Sequence, residues 1–170
     1  SAASAKTITI DYATSSTNSL VDFSTSTIAT SADNVRDVHL ADLDSDGDLD
    51  IISASSADDT IAWYENDGAA NPSFTAADIA TSADLTYGVH VADIDNDGDL
   101  DLLSASVNDN TIAWYENDGA DDPSFTAADI TTSLVGVYDV QVGDFDGDGD
   151  QDILTTSFDS VISILENDGA

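Results

Sequence analysis

The chain's 170 residues set 35 aspartates and glutamates against two basic residues, Lys6 and Arg36, for a formal charge of -33, and 41% of the residues are apolar. That apolar share supports a folded core and argues against disorder, while the charge repels nucleic acid and anionic membranes and makes cations the natural partners. There is no cysteine, which excludes disulfides, thiolate metal sites and thiol nucleophiles. No apolar run approaches the roughly 18 residues of a membrane span, and residues 1–20 lack the apolar stretch of a signal peptide. The chain opens on Ser rather than Met, which reads as a processed mature end or a segment of something longer.

Taken along the chain, the sequence repeats itself. Residues 6–30 come first, where "TIDY" at 9–12 lies 51 residues ahead of "TIAW" at 60–63 and reads as a diverged copy of one strand. A unit over 36–81 follows, then one over 87–132 and one over 138–170. Each carries an aspartate-rich stretch, "ADLDSDGDLD" from Ala41, "ADIDNDGDLD" from Ala92 and "GDFDGDGDQD" from Gly143, so the first aspartates fall at Asp42, Asp93 and Asp144, again 51 apart. Phe23, Phe74 and Phe125 keep the same register, as do Val38, Val89 and Val140, so the whole unit is repeated and not only its turn.

Within a unit, four short runs alternate apolar and polar residues. In the second unit they are about Gly88–Ala92, Asp101–Ser106, Thr111–Asn117 and Ser124–Thr131, divided by the aspartate loop, "VNDN" and "NDGADDP". No helical apolar period of useful length intervenes. The expectation is an all-β chain of about three β-propeller-type blades of four antiparallel strands, an incomplete ring that is either completed by oligomerisation or part of a longer propeller. Residues 6–30 would supply a strand pair as a partial blade, and the third unit would lack its outer strand. A parallel β-helix is the structural alternative, although its rungs are usually much shorter than this repeat.

The aspartate loop raises a chemical question. Asp42, Asp44, Asp46, Asp48 and Asp50 crowd around a single glycine, and two unit charges 4 Å apart repel by about 4 kcal/mol at an effective dielectric of 20. A cation removes that cost. Carboxylates at positions 1, 3, 5 and 9, a main-chain carbonyl at position 7 and Gly at position 6 for a left-handed backbone form an oxygen cage for a hard cation. A donor set without Cys or His favours Ca²⁺ over zinc or copper. An EF-hand is rejected, because position 12 holds Ser53, Ser104 and Thr155 where that motif needs Glu, and the flanks read as strands.

"VGDFDGDGDQDIL" from Val142, with its sisters at Ala41 and Ala92, resembles the calcium loop of FG-GAP and VCBS-type repeats, found in integrin α-subunit propellers, fungal propeller lectins and many secreted bacterial proteins. The resemblance implies about three Ca²⁺ ions. Their side-chain ligands would be Asp42, Asp44, Asp46 and Asp50; Asp93, Asp95, Asp97 and Asp101; and Asp144, Asp146, Asp148 and Asp152. Asp48, Asp99 and Asp150 would bind through main-chain oxygen. It also implies that the loop joins the innermost strand of a blade to the second. Three units stand where closed propellers of the family usually have about seven, and three blades cannot close a ring.

The resulting reading is an extracellular, calcium-stabilised structural or adhesion module. It would assemble with other copies of itself into a ring or a filament, the N-terminal strands of one chain completing or covering the last blade of another. Glycans or cell-surface proteins are further partners of such a module; nucleic acid and membrane insertion are not expected. The acidic surface suits salty or calcium-rich extracellular water. No catalysis is expected. His39 and His90 share a register whose third member is Gln141, no nucleophile elbow is present, and Glu65, Glu116 and Glu166 recur once per unit as a structural feature would. The alternative is a carbohydrate-binding propeller lectin, with Trp63, Tyr64, Trp114 and Tyr115 stacking on sugar faces; Ile164 and Leu165 at the third copy's positions favour packing instead.

Overall fold

The alternating runs fold as strands. The computed structural model describes residues 25–169, and among these the protein is all β, with eleven strands and no helix. Among the described residues no helix is therefore long and apolar enough to cross a membrane. The first sheet holds β1 (Val35–Ala41), β2 (Asp50–Ser55), β3 (Thr60–Asn66) and β4 (Phe74–Ala80) side by side in that order. The second holds β5 (Thr86–Ala92), β6 (Asp101–Ser106), β7 (Thr111–Asn117) and β8 (Phe125–Thr131). The third has three strands, β9 (Val137–Gly143), β10 (Asp152–Ser157) and β11 (Ile162–Leu165), with β10 in the middle. Every pairing is antiparallel, and none of the sheets closes on itself.

One difference from the sequence reading has a local cause. β5 starts at Thr86 rather than Gly88, because a bulge between these residues lets pairing with β6 run on to Ser106. Of the strand pair expected over 6–30, residues 6–24 lie outside the described residues, and residues 25–30 lie in no strand.

The aspartate loops connect β1 to β2, β5 to β6 and β9 to β10. The first strands of the sheets lie against one another, β1 on β5 and β5 on β9. The rings of His39 and His90, on β1 and β5, meet edge to face with centroids 4.8 Å apart. Between the sheets, period-2 alternation divides the apolar side chains into two cores. Ile52, Ala54, Ile61 and Trp63 of the first sheet pack on Val89, Val91, Leu102, Ala113 and Tyr115 of the second. The opposite face of the second sheet, with Leu103, Ala105 and Ile112, packs on Val137, Val140 and Ile153 of the third. The middle sheet is thus buried on both faces. At the ends, repeat-equivalent positions are open: Val38 is 59% exposed where Val89 is 2%, and Ile162 is 72% exposed where Ile112 is 0%.

Polar straps join neighbouring sheets as well. The Asp37 carboxylate accepts the Val89 N–H at 3.1 Å. Asp59 Oδ1 in the β2–β3 turn accepts the Leu85 N–H at 2.9 Å, and its counterpart Asn110 Oδ1 accepts the Gly136 N–H at 2.8 Å. The residues so held, Leu85 and Gly136, both have left-handed backbones, with φ of 57° and 66°.

Candidate metal centres

Each aspartate loop curls by hydrogen bonding its own backbone. In the first, Asp42 Oδ2 accepts the Gly47 N–H at 3.0 Å, Asp44 Oδ1 the Asp46 N–H at 3.3 Å, and Asp46 Oδ1 the Asp48 N–H at 2.9 Å. The second repeats this with Asp93 to Gly98, Asp95 to Asp97 and Asp97 to Asp99 at 3.1, 3.2 and 2.9 Å. In the third, Asp144 takes both Gly147 and Gly149, at 2.6 and 3.2 Å, and Asp146 and Asp148 take the residues two further on. The glycine at position 6 has φ of 99° to 103° in all three, as the sequence pattern requires.

Position 4 is left-handed too. Ser45, Asn96 and Gly147 have φ of 60°, 62° and 84°. Asn at one copy and Gly at another were the signals for this second reversal, since these residues adopt that region most readily.

The curled backbone turns side chains at alternate positions to a common centre. Carboxylate oxygens of Asp42, Asp44 and Asp46 lie within 4.8 Å of one another, as do those of Asp93, Asp95 and Asp97, and of Asp144, Asp146 and Asp152. Each of these groups could hold a metal ion, and their donors are all oxygen. Asp42 Oδ1 and Asp93 Oδ1 are buried and have no hydrogen-bond partner among the described residues. Burial and the neighbouring Asp50 and Asp46 charges push the Asp44 carboxyl above its ordinary value, against a backbone bond that pulls it down. Asp146 is also raised: the Asp148 N–H lowers it, and burial with the Asp148 and Asp152 charges outweighs that.

Position 9 does a second job. Asp50 is fully buried, and its oxygens accept the Leu43 N–H at 3.1 Å and the Asn66 N–H at 2.8 Å, pinning the loop's start to the end of β3. Asp101 does the same with Ile94 and Asn117 at 3.2 and 2.8 Å, and Asp152 with Phe145 and Asn167, both at 2.9 Å. Burial pushes Asp101 up from its ordinary value. Asp152 is held low by the Asn167 and Phe145 N–H groups. The third sheet has no neighbour on its outer face among the described residues, so burial counts for less there.

Asparagines complete each site. Asn66 Nδ2 donates to Leu49 O at 2.9 Å and Asn117 Nδ2 to Leu100 O at 3.0 Å, while their Oδ1 atoms accept the Gly68 and Gly119 N–H groups. Asn117 Nδ2 also reaches Leu43 O of the first sheet at 3.1 Å. The recurrence of "ENDG" was the available signal. The carboxylates of Asp48, Asp99 and Asp150 point away to that same turn, where they abut Gly68, Gly119 and Gly169. Between loops, Asn96 Nδ2 donates to Asp150 Oδ1 at 3.3 Å.

Other sequence candidates fall elsewhere. Trp63, Tyr64 and Tyr115 are buried, whereas Trp114 is half-buried at a cleft between the second and third sheets. Glu65, Glu116 and Glu166 are exposed. Burial lowers the His90 imidazole below its ordinary value, and His39 beside it adds to the effect.

A family model described as an FG-GAP-like repeat matches the sequence twice, over residues 42–104 and 101–155. No curated protein matches it.

Proposed function

The chain belongs to the FG-GAP-like repeat family, and from that premise we propose that it is an extracellular, calcium-stabilised structural or adhesion module that assembles with other copies of itself. The observation that carries the reading is the pair of buried, partnerless oxygens, Asp42 Oδ1 and Asp93 Oδ1, each in a three-carboxylate cluster. An unsatisfied buried acceptor costs about 1–3 kcal/mol, and more when charged. A calcium ion held by Asp42, Asp44, Asp46 and Asp50 would satisfy the first and offset the mutual repulsion. Asp93, Asp95, Asp97 and Asp101 would do the same in the second loop, and Asp144, Asp146, Asp148 and Asp152 in the third. The carbonyls of Asp48, Asp99 and Asp150 would complete the sets.

Bound calcium supplies the positive charge that lets these loops keep their fold. At free calcium about 100 times Kd, each site adds about 2.7 kcal/mol to stability. Sites of the extracellular-module kind, with Kd of about 10⁻⁴ to 10⁻³ M, fill only where calcium is abundant, which supports the extracellular placement. The open apolar faces of the end sheets support assembly. Sedimentation velocity with circular dichroism tests both parts. In calcium a folded species larger than the 17.6 kDa monomer is expected, and EGTA should disperse or unfold it. A compact monomer unchanged by EGTA would sink the reading.

One observation favours a second reading. The cleft at Trp114 has a volume of about 550 Å³ and mixes apolar and carboxylate walls, as a saccharide site does. Glycan binding that disappears in Trp114→Ala while the fold persists would establish it.

A further inference from the structure

The chain has two histidines, and the fold brings them together. His39 lies on β1 and His90 on β5, 51 residues apart, and these first strands of their sheets pack against each other. The imidazoles meet with centroids 4.8 Å apart and planes 67° to one another, and both are half-buried. The aspartate loops use neither ring. Nor does packing require an imidazole at this place, because the third sheet holds the amide of Gln141 in the same register.

The spacing has a chemical meaning. An imidazole nitrogen about 2.0–2.1 Å from a zinc ion sets the ring centre about 3.2 Å from it, so two rings on one ion, at right-angled to tetrahedral spacing, stand about 4.5–5.2 Å apart. The observed 4.8 Å falls inside that interval. One carboxylate keeps the rings there: Asp37 Oδ1 accepts the Val38 N–H at 2.9 Å and its Oδ2 accepts the Val89 N–H at 3.1 Å, so it clamps the residues that precede both histidines. Beyond β5, Gly88 lets β9 come close, since a Cβ there would stand 3.1 Å from Asp139 Cα. Asp37 and Asp139 thus flank the pair. Burial, with His39 adding to it, outweighs the upward pull of these two carboxylates, so His90 titrates below its ordinary value and offers a neutral ring at neutral pH.

We propose that His39 and His90 form a binding site for one divalent transition-metal ion of the zinc and copper class, held by a nitrogen from each ring, with water in its remaining positions and Asp37 and Asp139 balancing its charge. Imidazole suits these ions, whereas calcium takes oxygen, so the array sorts cations by chemistry: hard ions go to the loops and borderline ions to the first strands. Two protein ligands make a reversible site rather than a structural one, since structural zinc sites take four. The pair shares no residue with the aspartate loops, so it stands or falls independently of the calcium reading.

The test is a zinc titration of the full-length chain, free of any histidine tag, in excess calcium to compete for the carboxylates. With two histidines in the chain, the imidazole ¹⁵N NMR spectrum reads each ring separately. Both rings should shift together along one binding curve. Loss of a metal's outer-shell partner already costs about 10–100-fold in affinity, so loss of a ligand in His39→Gln or His90→Gln should weaken zinc binding by calorimetry at least about tenfold. Each variant copies Gln141 and should keep the parent's circular dichroism. Rings unmoved by zinc would overturn the proposal. So would one ring moving alone, which assigns the ion to a single imidazole, or equal affinity in the parent and both variants, which assigns it to carboxylates.

Discussion

Asp93→Asn should act with opposite sign in the presence and absence of calcium. Asparagine keeps an oxygen for the Gly98 N–H but removes one charge from the cluster with Asp95 and Asp97. At separations up to 4.8 Å each lost repulsion is worth about 1 kcal/mol at the dielectric of water and about 4 at an effective dielectric of 20. Asp95 and Asp97 are exposed, so the lower end applies, giving about 1–2 kcal/mol of relief for two pairs at low salt. Without calcium the variant should therefore melt about 2–8 °C higher than the parent, at about 2–4 °C per kcal/mol. In excess calcium it loses a ligand. If that empties the site, about 2.7 kcal/mol goes with it and the melting point falls by about 5–11 °C. Scanning calorimetry of both proteins in EGTA and in calcium provides the four melting points. A shift of the same sign in both conditions would refute the cage, because a structural aspartate is missed with or without the ion.

Three further outcomes follow from other contacts. Asp101→Ala strands the Ile94 and Asn117 N–H groups and should cost about 3 kcal/mol or more in urea unfolding even in EGTA, with a further loss in calcium because a ligand of the second loop goes with it. Gly119→Ala places a methyl group against Asp99 Oδ2 at a left-handed backbone position, and a loss of about 2 kcal/mol is expected, partly recovered in Asp99→Ala/Gly119→Ala; an additive double variant would count against the contact. His90→Gln, which copies Gln141, should flatten the acid limb of stability. His90 is held below its ordinary 6.5 by burial and by His39, against the pull of Asp139 and Asp37, so the unfolded chain takes up the proton first. Parent stability should therefore fall as pH drops below about 6.5, and melting curves from neutral to mildly acid pH in calcium should show a smaller fall for the variant.

Strand placement was legible because each sheet alternates within seven or fewer residues and the repeat supplies three readings of every position. The Thr86–Gly88 bulge escaped because nothing local announces it; it is visible only in what β6 offers opposite. At the loops, the ring of carboxylates follows from spacing alone. What Asp50 and Asp101 do for Asn66 and Asn117, sixteen residues away, depends on β3 and β7 returning past the loop, which is tertiary information. Likewise the sequence marks Asp59 and Asn110 as turn residues, but that each fastens the next sheet depends on how the sheets stack.

The middle sheet's double burial also governs how the molecule comes apart. Among the described residues the packing runs from each sheet to the next, so the array behaves as a short one-dimensional stack whose cooperativity runs through the central member. Fraying from the termini leaves that keystone intact. Amide protons of β6, sandwiched on both sides, should exchange only through global opening, while those of the outermost sheets exchange through more local events. Mechanical load on the ends would peel the outer sheets in sequence rather than shatter the whole, so the stack would yield in steps and could re-form from its centre.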